Sequence, residues 1–193
     1  MPEFLPEWHP QWGVMIAWPH ASTDWESNLT QAESCYLQIA AAISDQQQLL
    51  IIHQNAEHKA HIQQLLTTQG LKLRNIHWQQ TAYNDTWTRD YGPLAVRTNG
   101  AIELHKFTFN GWGNKFAAEL DNQVSTHITW RAPLHIHHDF VLEGGAVESD
   151  GRRNLLTTEA CLLNPNRNPG LNREQVEQRL RDALHFDRAR VQM

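Results

Sequence analysis

The sequence predicts an α/β fold. Short apolar runs of strand length alternate with amphipathic helical stretches, and Asn-Gly and Asp-Gly turns punctuate the strands, a pattern that favours α/β over a helical bundle or a β-sandwich. The 193 residues, 40% hydrophobic and 19% charged, suffice for one sizeable core or two small ones.

In chain order, residues 28–46 carry Leu29, Ala32, Tyr36, Ile39 and Ile43 at steps of three and four, which predicts a helix with one apolar stripe and Ser27 as its N-cap. Leu49-Leu50-Ile51-Ile52 is a continuous apolar run that suits a strand covered on both faces. A second helix follows over 56–68 through Ile62, Leu65 and Leu66, closed by Gly70; Leu71 and Leu73 then open a strand ending near Trp78. Leu94-Ala95-Val96, the Asn99-Gly100 turn and Ile102 to Phe109 spell a hairpin. Alternation over 133–142 predicts a further strand, and Asp150-Gly151 turns the chain toward another at Asn154 to Thr158. Asn172, with Gln175 three residues on, caps a last helix through Val176, Leu180 and Leu184, after which Arg190-Val191-Gln192-Met193 begins a strand. No Gly-, Ser- or Pro-rich linker marks a domain boundary.

Charge and composition exclude several functions. Five basic against nine acidic residues in 1–99, and eleven against twelve in 100–193, leave no basic stripe for a phosphate backbone, so no nucleic-acid partner is expected. No run of eighteen apolar residues exists, and Glu3, Glu7, His9 and Asp24 interrupt the first thirty, so no membrane role is expected. Cys35 and Cys161 lack CxxC spacing, which fits a reducing, cytoplasmic compartment. Eight Trp and twelve His are the unusual numbers, fitting either a lined pocket or bulky core packing.

Chemistry concentrates in three places. Asn84 to Pro93 combines Trp87, Arg89, Asp85 and Asp90 on a loop with a rigid Gly-Pro exit. It reads either as a surface pair of Arg89 with Asp90 or Asp85 plugged by Trp87, or as a cation site in which Asp90 accepts hydrogen bonds from a guanidinium and the Trp87 indole face attracts it. Phe109 to Lys115 places Trp112 between two glycines, either to present an indole or simply to pack it. Glu143 stands before the pair Gly144-Gly145, as a buried structural acid or as a second carboxylate for the same cation. His135, His137 and Asp139 share a strand face that could hold a metal for a hydrolase, but no HExxH or helix-borne partner supports them, and no metal is expected. Cys161, in apolar company, is expected to be buried and inert, and Cys35 lies on or beside the first helix's apolar stripe.

These stretches, Trp87 to Pro93, Phe109 to Lys115, Leu142 to Glu148 and Leu156 to Pro169, together with Glu7 to Gln11 and Ala17-Trp18-Pro19, resemble the agmatine deiminase family among the bacterial-type peptidyl-arginine deiminases. The resemblance implies a pentein fold, a five-bladed α/β propeller of ββαβ units. Residues 1–193 would form the N-terminal portion of one such domain, about half of the ring. It also implies hydrolysis of a guanidine without metal or cofactor, agmatine giving N-carbamoylputrescine and ammonia. A Cys thiolate attacks the guanidinium carbon, ammonia leaves, and water releases the ureido product, with a His as general acid and base. Carried over by position, Asp90 is the guanidinium-binding acid and Glu143 the second catalytic acid. Trp87, Trp112 and Lys115 line the substrate. The nucleophilic Cys and the catalytic His-x-Asp are expected beyond Met193, and His185-Phe186-Asp187 matches that spelling only by coincidence. Peptidyl-arginine as substrate, or a non-catalytic guanidinium-binding fragment, are the alternatives. Unpaired sheet edges would favour a homo-oligomer.

Overall fold

In the computed structural model, which describes residues 2–192 and the last five of these by backbone alone, the chain divides into two units: residues 10–88, and residues 1–9 together with 89–193. In chain order the strands are β1 (Glu3–Phe4), β2 (Gly13–Ala17), β3 (Gln48–His53), β4 (Ile76–Gln80), β5 (Leu94–Thr98), β6 (Ala101–Thr108), β7 (Leu134–Val141), β8 (Val147–Ser149), β9 (Asn154–Thr158) and β10 (Arg188–Gln192). The three long helices are α1 (Leu29–Gln46), α2 (Ala56–Thr68) and α3 (Arg173–Leu184).

The unit of residues 10–88 is a parallel sheet ordered β2-β3-β4, with α1 and α2 as its two crossovers. The apolar run expected to be covered on both faces is the central strand β3, whose Leu49, Ile51 and Ile52 are fully buried. Leu49 and Ile51 share a core with Trp18, Ile62 and Leu66, and each such aliphatic side chain contributes about 1.5–3 kcal/mol of burial. Two local expectations are corrected. Ser27 does not cap α1: a 3₁₀ turn at Glu26–Asn28 precedes the helix and Asn28 takes the N-cap position, without a side-chain bond. Ile39 lies on the exposed side of α1, where Ala40 takes the buried place. Leu71 and Leu73 also fail to open a strand. Gly70, at φ +76°, ends α2 with its own N–H on Thr67 O and that of Leu71 on Leu66 O at 3.0 Å, so Leu71 is spent on the helix stop and β4 waits until Ile76.

The second unit holds two sheets, ordered β1-β5-β6-β7 and β10-β9-β8. The Asn99-Gly100 turn has positive φ at both residues, 51° and 83°, the geometry of a two-residue hairpin, and β5 pairs with β6 as the sequence predicts. β7 covers the expected strand but runs parallel to β6. The other sheet repeats the scheme: β8 and β9 are antiparallel, α3 crosses over, and β10 returns parallel to β9. Asn172 and Gln175 form the expected capping box at the start of α3. Phe107, Phe140, Leu142, Val147, Leu155, Leu180 and Leu184 make the core of this unit, bringing the ends of β7 and β9 and the face of α3 together. Of the expected final strand, Met193 lies outside the described residues. Among the described residues no helix is long and apolar enough to cross a membrane.

Candidate functional site

Arg89 to Pro93, Phe109 to Lys115 and Leu142 to Glu148, from the segments singled out by sequence, lie in the second unit. Asp90 stands in a single helical turn, Thr88–Tyr91, locked from behind by the fully buried ring of Tyr91. Glu143 follows the last residues of β7 and is 3% exposed. The glycine pair after it has a steric cause. A Cβ on Gly144 would run into the carbonyl oxygen of Arg89, and one on Gly145 would lie 2.6 Å from Asp90 Oδ1. Only glycine lets the two backbones approach so closely, and Gly145 N–H then donates to Asp90 Oδ1 at 3.0 Å.

Trp112 has φ 57° and ψ 46°, a left-handed conformation that costs a non-glycine residue about 1–2 kcal/mol. Its indole packs edge-on against Phe109 and Phe116, with centroids 5.0 and 5.7 Å away, and its side chain hydrogen-bonds Asp90. Burial pushes the Asp90 carboxyl above the ordinary carboxylate range; the bonds from Gly145 and Trp112 oppose this, and the neighbouring Glu143 charge adds to it. Among the described residues no cationic nitrogen is in ion-pair contact with Asp90. Arg89 turns instead to Glu7, to Glu148 at 3.1 Å and to Val147 O at 3.2 Å. This replaces the surface pair of Arg89 with Asp90 or Asp85.

Glu143 is held by Arg167, a residue with no role in the sequence expectations. Arg167 Nε donates to both carboxylate oxygens at 2.8 and 2.9 Å, and a terminal nitrogen lies 2.7 Å from Oε1. Both side chains are almost wholly buried. The Asn164–Asn168 loop that presents Arg167 is tied down by asparagines. Asn110 donates to Asn166 O at 2.8 Å, and Asn168 pairs with both backbone groups of Val141 at 2.9 and 3.0 Å. The legible signal was an Arg between two Asn-Pro-type turns.

Trp87 belongs to the unit of residues 10–88, where it is 43% exposed and lies near Trp25 with centroids 6.3 Å apart. Lys115 is exposed and lines a cleft of about 450 Å³ with Asn110, Phe116, Glu119 and Asn122, which neither Asp90 nor Glu143 lines. Cys161 is partly exposed rather than buried, because it occupies the outer side of the turn Glu159–Leu162 whose inner side is Leu162; Cys35 is exposed. His185 is the left-handed C-cap of α3. Asp139 pairs with Arg179 at 2.5 Å, and among the described residues the ligand atoms of His135, His137 and Asp139 do not come together within metal-binding reach.

A mixed α/β chain built in this way has the fold of the deiminases. It superposes on an agmatine deiminase variant of C. jejuni with substrate bound (TM-score 0.89, 31% identity, 99% of this chain and 56% of that one). It also superposes on an agmatine deiminase of Enterococcus faecalis (TM-score 0.85, 29% identity, 98% and 52%). Residues 3–191 match the Porphyromonas-type peptidyl-arginine deiminase family, and the chain belongs to it. Among curated relatives, agmatine deiminase of Pseudomonas syringae pv. tomato is 34% identical over 190 residues, covering 94% of this chain and 50% of the relative. That of Stutzerimonas stutzeri is 34% identical over 194 residues, covering 94% and 50%. The chain spans about half the length of the curated relatives it matches.

Proposed function

We propose that residues 1–193 are the N-terminal portion of a single pentein-type deiminase domain, and that they carry the guanidinium clamp of an enzyme hydrolysing agmatine to N-carbamoylputrescine and ammonia. The observation that carries this reading is the meeting of Asp90, Glu143 and Trp112, from three separate motifs, around one close backbone approach. A carboxylate beside an indole and a second carboxylate favours a delocalised planar cation, because each guanidinium edge offers paired N–H donors. Asp90 would accept two of these and hold the trigonal carbon for attack by a cysteine thiolate; that cysteine and its His partner are expected outside residues 1–193. The bond formed is S–C and the bond broken is C–N, with ammonia leaving; water then cleaves the S–C bond. Glu143 would act on the substrate indirectly, fixing Arg167 and the charge around Asp90.

The propeller reading is supported by the two strand–strand–crossover–strand units, β5 to β7 and β8 to β10. The names of the relatives favour agmatine, while the family description keeps peptidyl-arginine as the second reading. Trp87 and Lys115 remain proposed substrate contacts, in a cytoplasmic enzyme with no nucleic-acid partner. Exposed Trp8 and Phe116 support self-association, which light scattering reads as a mass above that of one chain. The test of function is ammonia release from agmatine by this chain and by the same chain joined at its C-terminus to the second half of a curated relative. Turnover is expected only in the joined chain. Turnover of peptidyl-arginine but not agmatine there would favour the second reading, and turnover by residues 1–193 alone, abolished by Cys161→Ala, would overturn the placement of the nucleophile.

A further inference from the structure

We propose that Glu103, His105 and His135 form a three-ligand site for a divalent transition cation of the zinc class on the β6–β7 face, a departure from the sequence expectation of no metal. Pairing of β6 with β7 sets His105 directly opposite His135, and Glu103 lies two residues earlier on the same face as His105. One donor atom from each of the three lies within 4.8 Å of the others. Glu103 Oε2 is 3.5 Å from His135 Nε2 and 3.8 Å from His105 Nε2. Tetrahedral zinc with bonds of about 2.0–2.1 Å spaces its ligand atoms at about 3.3 Å, so small side-chain rotations close the set.

A second observation points to a ligand. The His105 side chain is 8% exposed, and its Nε2 is buried without a hydrogen-bond partner. Its other nitrogen is 3.0 Å from His137 Nε2. If Nδ1 carries the proton and donates to His137, a bare Nε2 lone pair faces a carboxylate and a second imidazole. If Nε2 carries it, the carboxylate lies beyond hydrogen-bond reach. A cation bound by Nε2 satisfies the first arrangement, and His137, stacked on Phe107 at 4.5 Å, then holds the ligand's tautomer and ring in place. Two imidazoles and one carboxylate suit zinc or its first-row neighbours, and leave at least one position for water.

The test is calorimetric titration of the EDTA-treated, dialysed chain with ZnCl₂, and with CoCl₂ followed by its visible absorption. One ion per chain with tetrahedral Co²⁺ bands is expected, lost in Glu103→Gln and in His135→Ala, whose exposed imidazole can be removed without opening the core. His137→Gln should weaken binding by about 10–100-fold. His61→Ala and His77→Ala, on the other unit, should leave it unchanged. Absence of binding by a folded chain, or binding that survives both Glu103→Gln and His135→Ala, would overturn the proposal.

Discussion

Asp90 is held in a way that makes its charge costly. Its folded pKa is raised above the unfolded value, chiefly by burial, so the stability it contributes is present below the unfolded pKa and is lost as pH rises through the folded one. Asp90→Asn removes that cost while keeping an oxygen for Gly145 N–H. Its thermal midpoint at neutral pH should therefore equal or exceed that of the parent, as differential scanning calorimetry reads, while agmatine binding falls. Binding by the parent should strengthen as pH rises through the Asp90 pKa. Glu143 and Arg167 depend on each other inside the protein. Either single truncation to Ala should destabilise by about 3–5 kcal/mol in urea, and the double variant should cost clearly less than the two together. At this scale the sequence revealed the acids, because acids beside tryptophan and glycine are unusual. It concealed the partner of Glu143, because which of sixteen basic residues reaches a buried carboxylate is decided by long-range folding.

Among the elements, the two glycines after β7 divide their work. Gly144→Ala meets the backbone of Arg89, which cannot yield cheaply, so a loss of about 1–3 kcal/mol is expected in denaturant unfolding. Gly145→Ala presses instead on the Asp90 carboxylate. With modest loss of stability it should lower kcat/KM for agmatine in the joined chain by about 10²-fold, the scale of a reacting group displaced by an ångström. The elements with strong local signals were legible: α2 and α3 from period and caps, β3 from its apolar run, the β5–β6 hairpin from Asn99-Gly100. The short strands β1 and β2 were not, nor was the parallel pairing of β7 with β6. Two- to five-residue strands carry too little periodicity, and a parallel partner is chosen across more than twenty residues of intervening chain.

Over the whole molecule, the division into residues 10–88 and the remainder was invisible in composition, because its boundaries fall at Pro10 and at the short turn Thr88–Tyr91 rather than in linkers. The family, by contrast, was legible from motif order alone, since six segments in sequence constrain far more than any one of them. The chain spans about half the length of the curated relatives it matches, and the proposed guanidinium clamp at Asp90 is the part of the chemistry assigned to it. The most direct measurement is therefore kcat/KM for ammonia release from agmatine by the joined chain, with Asp90 and with Asp90→Asn. The clamp account predicts a loss of at least about 10²-fold, the scale of removing a charge-assisted contact to the reacting group, in a variant that remains folded. An unchanged kcat/KM would contradict it.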